Sequence, residues 1–322
     1  MAHELDFSKG RAAIAYVGET PWHGLGQKME GGKSIEDWQV AAGMDFDIIE
    51  KPVQYQADGF DFTFPDRKVL HRSDNNAPLS IVSSKYKVVQ PKSVLEFYRD
   101  LTEQSGFVLD TAGVLFNGRK YWALASMGNE AKVLDDSIKG YLLLGTACDG
   151  TMATTAMFTS VRVVCNNTLG FAMREAETGE AKNVVKVTHS STFDVADVKS
   201  QLGIAATSWD AFIKNIDVWS DTHIDLSVAK EYLSQFAMVR DLKGALVVSD
   251  RTLDKLTDLY QGSGIGMDMV ATKDTVWGLI NTITEYVDHH KGRSSDTRMD
   301  RAWFGDGVTI KNRAVELANA LV

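Results

Sequence analysis

Cysteine and proline are scarce in this chain of 322 residues, with two of the first and five of the second. Cys148 and Cys165 are too few for a disulfide framework or a cysteine-rich zinc site, and two reduced, buried thiols are the expectation. Long apolar runs are missing too. Nothing approaches the roughly 18 consecutive apolar residues of a membrane helix. The opening segment from Met1 to Phe7 has neither the basic nor the apolar stretch of a secretory signal, so the expected address is the cytoplasm, with no membrane partner. Positive charge is short as well: 34 Lys and Arg stand against 43 Asp and Glu, a formal charge of −9. That excludes a chain coated in basic charge for nucleic acid but leaves room for a local patch.

Several chemical signatures are absent. There is no phosphate-loop lysine motif, no metalloprotease His-Glu pair, no esterase nucleophile elbow and no paired Cys-x-x-Cys. The glycines at 262, 264 and 266 follow a helix-like segment and so do not make a dinucleotide fingerprint. No cofactor and no metal site is expected: Glu285 and His289 stand one helical turn apart, but no further ligands accompany them.

What is present reads as a folded α+β protein, 44% hydrophobic and 24% charged. Up to about residue 190 the apolar pattern is short and alternating, with runs over 46–55, 60–64, 80–89, 107–116, 119–126, 141–147 and 153–164. Asn117-Gly118 and Asp149-Gly150 read as hairpin turns between such runs, because both pairs tolerate the left-handed backbone that tight turns need. The expectation is a twisted, mostly antiparallel sheet over residues 1–190, covered by a few helices. Ser34, with Asp37 three residues later, opens one helix that stops at Gly43. Pro91 opens another, running to Gln104 with Val94, Leu95, Tyr98 and Leu101 on one face. From 191 to 322 the period becomes helical, with helices expected over 195–219, 227–239, 252–261, 273–290 and 308–321.

Three segments could carry function. Pro21, Trp22, His23 and the nearby glycines form an unusual loop, either a pocket wall with a titratable His23 or a core plug by Trp22. Asp149, Arg162 and Asn166 belong to the second. There Arg162 must meet a carboxylate or a polar ligand, and Asn166, Asn167 and Thr168 could cap a helix beginning near Leu169. The third is the densest basic cluster, Lys291, Arg293, Arg298 and Arg301 with His289 and His290, followed by Trp303 and Phe304, which could stack a base. Ordinary ion pairs to Asp296 and Asp300 are the alternative there.

Taken together, Pro21 to Gly26, the Asp149-Gly150 turn with Val161 to Leu169, Thr284 to His289 and Ala302 to Gly307 resemble the phage/plasmid-like protein family, a prokaryotic domain of unknown function. The resemblance implies a phage, prophage or plasmid setting and transfers no activity. Where relatives often carry Ser-His-Asp-Gly, this chain has Ala147, Cys148, Asp149 and Gly150. The sheet-and-helix architecture is also loosely similar to phage single-strand annealing proteins, although fold alone does not establish function.

That setting gives the leading expectation: a DNA-binding protein of a mobile element that holds single-stranded nucleic acid and promotes annealing in recombination, working as a homo-oligomer. The expected phosphate contacts are Lys85, Lys87, Arg119, Lys120 and Arg162, with Arg293, Arg298 and Arg301 as a second patch. Lys85 and Lys87 flank Tyr86, so on a strand they would share one face. One alternative is a protein-interaction module, such as an inhibitor of a host enzyme or defence complex, whose acidity suits a basic partner. Another is an enzyme acting on a nucleotide-like ligand in a pocket formed by Trp22, His23, Asp149 and Asn166 together with Arg162.

Overall fold

A computed structural model describes residues 4–18, 24–104, 106–162, 168–170, 184–202, 206–241, 243–292 and 298–322. Thirteen strands and ten α-helices are found among them. In chain order the strands begin with β1 (Ile14–Val17), β2 (Gln27–Met29), β3 (Ile48–Ala57), β4 (Phe60–Arg72) and β5 (Pro78–Ser83). Next come β6 (Val108–Leu115), β7 (Lys120–Val133), β8 (Asp136–Ala147), β9 (Thr154–Arg162), β10 (Thr168–Gly170) and β11 (Val184–Val187). β12 (Met238–Arg240) and β13 (Leu246–Val248) complete the set. The helices are α1 (Ile35–Ala41), α2 (Pro91–Glu96), α3 (Arg99–Gln104), α4 (Val195–Leu202) and α5 (Ala206–Asp221), then α6 (Leu226–Ser234), α7 (Asp250–Asp258), α8 (Val276–Glu285), α9 (Arg298–Phe304) and α10 (Asp306–Ala318). The fold is α+β, with sheets dominating the first part and helices the last.

The main sheet has the order β10-β9-β8-β7-β6-β1-β2, with β11 also beside β9. β1 and β2 run parallel, whereas β1–β6, β6–β7, β9–β10 and β9–β11 are antiparallel. A separate three-stranded sheet has the order β3-β4-β5, and β12-β13 make a two-stranded ribbon. The chain divides into two compact units that interleave along the sequence. The first comprises Met1–Gly128, Tyr141–Phe158 and Glu180–Ile204, and the second Asn129–Gly140, Thr159–Gly179 and Ala205–Val322.

In the first unit α1 starts as its sequence dictates. Ser34 accepts from the Asp37 amide at 3.1 Å and the Asp37 carboxylate accepts from the Ser34 amide at 3.3 Å, a reciprocal cap. The helix expected over 91–104 forms with Pro91 in its first turn but breaks at Phe97 and Tyr98 into α2 and α3. Tyr98 is fully buried, and its hydroxyl donates to Ala123 O at 2.8 Å and Leu142 O at 3.0 Å, which ties the helices to β7 and β8. Leu95, Phe97, Val114, Tyr121, Trp122 and Leu144 are buried in this unit. In the second unit every residue of α8 is buried, and Trp277 stacks on Trp219 with ring centroids 6.1 Å apart. The Trp277 indole donates to Asp136 Oδ2 at 2.9 Å.

Four local expectations are corrected. β6 and β7 do pair as a hairpin, but the connection is the four residues 116–119, with Phe116, Asn117 and Gly118 all at positive φ. The strand expected over 80–89 stops at Ser83, because residues 84 and 85 turn and the Tyr86 amide closes on Ser83 O at 3.0 Å. Lys85 and Lys87 therefore lie beyond the strand rather than on it. No helix starts at Leu169, since Thr168–Gly170 is the strand β10, paired with Thr159–Val161 of β9. The helix expected over 227–239 ends at Ser234, and Met238–Arg240 pairs with Leu246–Val248 instead.

Candidate functional site

Within the first unit four segments meet at the loop that joins β8 to β9. The Ser80 hydroxyl donates to Cys148 O at 2.7 Å, the Tyr86 hydroxyl to Ala147 O at 2.9 Å, and the Cys148 amide to Arg119 O at 2.8 Å. The segment after β11 closes the arrangement through His189. One ring nitrogen of His189 lies 2.9 Å from Lys87 O and the other 3.2 Å from Met152 O, while its face stacks on Tyr86 at 4.4 Å. The Lys87 amide answers by donating to His189 O at 2.6 Å. Burial pushes the Tyr86 phenol well above its ordinary range, with Cys148 adding to the effect, so the hydroxyl keeps its proton and donates.

These contacts wall a cavity of about 450 Å³, open to solvent and lined by Ser83, Lys85, Tyr86, Met152, Thr188 and Ser190 among others. That is within the range of small-ligand sites. Its polar lining is hydroxyls, the His189 imidazole and the Lys85 side chain, and Gly150, also in the lining, is at positive φ. Asp149 faces inward on its own turn: Oδ1 accepts from the Thr151 amide at 3.0 Å and the Thr151 hydroxyl at 2.6 Å.

Ion pairing divides the cations of this unit, and Arg11, Lys28 and Lys51 are exposed without a carboxylate partner among the described residues. Lys9, Lys33, Lys68, Arg72, Lys92, Arg99 and Lys199 each sit within 4 Å of a carboxylate. Lys85, Lys87 and Arg119 are exposed and have no carboxylate partner among the described residues. Two cations outside any local motif join them. Arg67 is the cross-strand partner of Ser83 and therefore shares its face. Lys186 lies on β11, two positions before the cavity-lining Thr188 that follows the strand. Both are exposed and lack an ion pair among the described residues. Their placement depends on strand register, a tertiary fact that no local motif announces.

The remaining expected contacts behave differently. Lys120 is buried at 7% exposure with Nζ 5.5 Å from the Phe116 ring centre, so it presents no ammonium to a strand; this corrects the expectation. The backbone of Arg162 ends β9 in the second unit, and its side chain lies outside the described residues, as do Trp22, His23, Asn166 and Arg293 entirely. Arg301 pairs with Asp306 at 3.1 Å, and Lys291 reaches the same carboxylate at 2.6 Å. Burial opposes ionisation of Asp306, but these two cations hold its carboxyl below the usual value, so much of the C-terminal basic cluster is locally neutralised. Arg298 Nε lies 3.4 Å from Lys291 O. Trp303 and Phe304 are half-buried and meet edge to face at 6.4 Å.

A nucleophilic role for Cys148 is disfavoured. The thiol is buried, directed at Gly118 O at 3.8 Å, and pushed up to about 12 by burial and by Asp149. Among the described residues no three His, Cys, Asp or Glu side chains gather as a metal site, and no helix is long and apolar enough to cross a membrane.

The family model described as Domain of unknown function (DUF932) matches residues 78–303, which include β5, the β8–β9 loop, β11 and all of the cavity lining. Nothing among curated proteins or solved structures matches the chain.

Proposed function

The chain belongs to the DUF932 family of domains of unknown function, and from its unpaired exposed cations we propose that it binds single-stranded nucleic acid on the face around the β8–β9 loop. Lys85, Lys87 and Arg119, with Arg67 and Lys186, take the phosphates; the hydroxyls of Ser83, Thr188 and Ser190 line the cavity that Lys85 also lines. The observation that carries this reading is that Lys85, Lys87, Arg119, Arg67 and Lys186 are exposed and have no carboxylate partner among the described residues of a chain of net charge −9. Phosphates release counterions when they meet such a group, and that gain needs no catalytic residue. A strand held by its backbone leaves its bases free to pair, so annealing in the cytoplasm of a host carrying a phage or plasmid is the proposed role.

Fluorescence anisotropy with a labelled oligothymidylate of about 30 nucleotides tests this. Each phosphate contact on a single strand contributes about −0.7 to the slope of log affinity against log salt, so five contacts give about −3.5. The triple variant K85A/K87A/R119A is expected to reduce the steepness by about 2. No binding near about 50 mM salt, or a slope unchanged in the triple variant, refutes the reading.

A further inference from the structure

Two ribbons of this chain are each exposed on both faces. The outer part of the β3–β4 hairpin is one. Tyr55 and Phe62 are cross-strand partners and stack at 5.5 Å. Phe60, Phe62 and Phe64 alternate with Asp61 and Thr63, which places the three rings on one face. All four aromatics are exposed, Phe60 at 68%. β5 pairs with β4 from Arg67 to His71, so among the described residues no strand lies beside the outer edge of β4 from Phe60 to Pro65. Between residues 53 and 66 there are three aspartates, Asp58, Asp61 and Asp66, and no Lys or Arg.

The β12–β13 ribbon is the other. Met238, Val239, Leu246, Val247 and Val248 are exposed, Leu246 at 60%, and among the described residues no third strand joins either edge. Its charges are Arg240, Lys243 and Asp241, and the Asp241 carboxylate is occupied by the amides of Lys243 and Ala245 at 2.8 Å each. This ribbon is aliphatic with a cationic tip; the first is aromatic with an anionic one.

We propose that the β3–β4 arm of one molecule docks on the β12–β13 ribbon of a second copy, so that the chain assembles head to tail. A two-stranded ribbon is marginal in water alone, and strand addition plus aromatic–aliphatic pairs relieves both. Charge selects the pairing: arm against arm sets three aspartates against three, whereas arm against ribbon sets aspartates against Arg240 and Lys243. Such a contact joins different surfaces and so makes a ring or an open filament rather than a closed two-fold dimer. The four rings offer on the order of 400 Å², about half of what one side of a standard interface buries. The association is therefore concentration-dependent.

Sedimentation velocity without nucleic acid tests the proposal independently of the nucleic-acid reading. From about 1 to about 100 µM the weight-average sedimentation coefficient of the unmodified chain is expected to rise. The variants F60S/F62S and L246S/V248S are each expected to stay monomeric. Because all four positions are exposed, circular dichroism should show both variants folded. Mixed in equal amounts, they retain one intact arm and one intact ribbon between them and should form a dimer that grows no further. A monomeric parent chain, assembly unaffected by either variant, or a mixture that stays monomeric overturns the proposal.

Discussion

Arg72 and Asp6 meet across 66 residues of sequence: Nη1 donates to Oδ2 at 2.6 Å, and neither side chain has meaningful exposure. Asp74 takes Nε at 2.9 Å and Nη2 at 2.8 Å, the Phe46 ring lies 3.9 Å from the guanidinium carbon, and Nη1 also approaches Asn117 O at 3.4 Å. The guanidinium thus sits under the β6–β7 connection that carries Arg119. Replacing Asp6 with Asn leaves a buried cation with one carboxylate instead of two. The expected loss is about 3 kcal/mol in urea unfolding; a loss below about 0.5 kcal/mol would show that Asp74 alone suffices.

Gly118 is the second constraint on that connection. Its φ is +101°, and a Cβ there would stand 2.8 Å from Arg72 Nη1. G118A is expected to cost about 2 kcal/mol, combining left-handed strain with displacement of a buried ion pair. If the strain dominates, the cost persists in an R72M background; if displacement dominates, it largely vanishes there. A melt of the four proteins of that cycle separates the two.

The β6–β7 hairpin, the Ser34 cap and the Pro91 start were legible because each is fixed by neighbours within a few residues. The convergence at the β8–β9 loop was legible only in part. Lys85, Lys87, Arg119 and Asp149 stood out as residues, but what unites them is a set of bonds from Ser80, Tyr86 and His189 to carbonyls 37 to 102 positions away. His189, which holds three of the segments, carried no local signal, and neither did Arg67 or Lys186. The β12–β13 ribbon was hidden for another reason: Met238, Val239, Leu246 and Val247 are apolar at spacings that also suit a helix, and short apolar runs do not discriminate the two. Lys120 misled because alternation along a strand gives two faces without saying which is wet.

His189 is a positioning residue for the proposed interface, so its loss should differ in kind from the loss of a cation. H189F keeps a ring to stack on Tyr86 but removes the contacts to Lys87 O and Met152 O. A neutral imidazole has one N–H and donates to one of these carbonyls, and leaving that carbonyl unsatisfied predicts a stability loss of about 1–3 kcal/mol. Oligonucleotide affinity should weaken with the salt slope unchanged, whereas K85A should flatten the slope by about 0.7. Equal slopes for H189F and K85A would remove the distinction between positioning and contact.

In the second unit Lys311 and Asp288 form a buried ion pair, at 3% and 8% exposure. Burial holds the Lys311 ammonium below its ordinary value even though Asp288 pulls the other way. Desolvation therefore outweighs attraction, and the pair should contribute little net stability while either half alone is costly. K311M is expected to destabilise by about 3–5 kcal/mol. D288L/K311M should recover most of that loss or exceed the parent, as read from denaturation midpoints. A double variant no better than the single one would mean the pair is a net stabiliser.

His290 sets a pH dependence with a distinct window. Burial holds its imidazole down at about 4, and Lys255, His289 and Arg298 add repulsion; Glu285 Oε1, 3.7 Å from Nε2, does not reverse this. Because the folded value lies below the ordinary 6.5, the unfolded chain takes up the proton more readily. Stability from this group is complete above about pH 6.5 and drains away as the pH falls toward about 4. The carboxyls of Asp74, Glu96 and Asp100 are held low by Arg72, Arg99 and Lys199 respectively, and their contribution is lost only as the pH drops below the ordinary carboxylate range. Melting temperature should therefore fall in two stages on acidification. H290Q should flatten the first stage and leave the second in place. A parent-like decline between about pH 6.5 and 4 in H290Q would assign that stage to other groups.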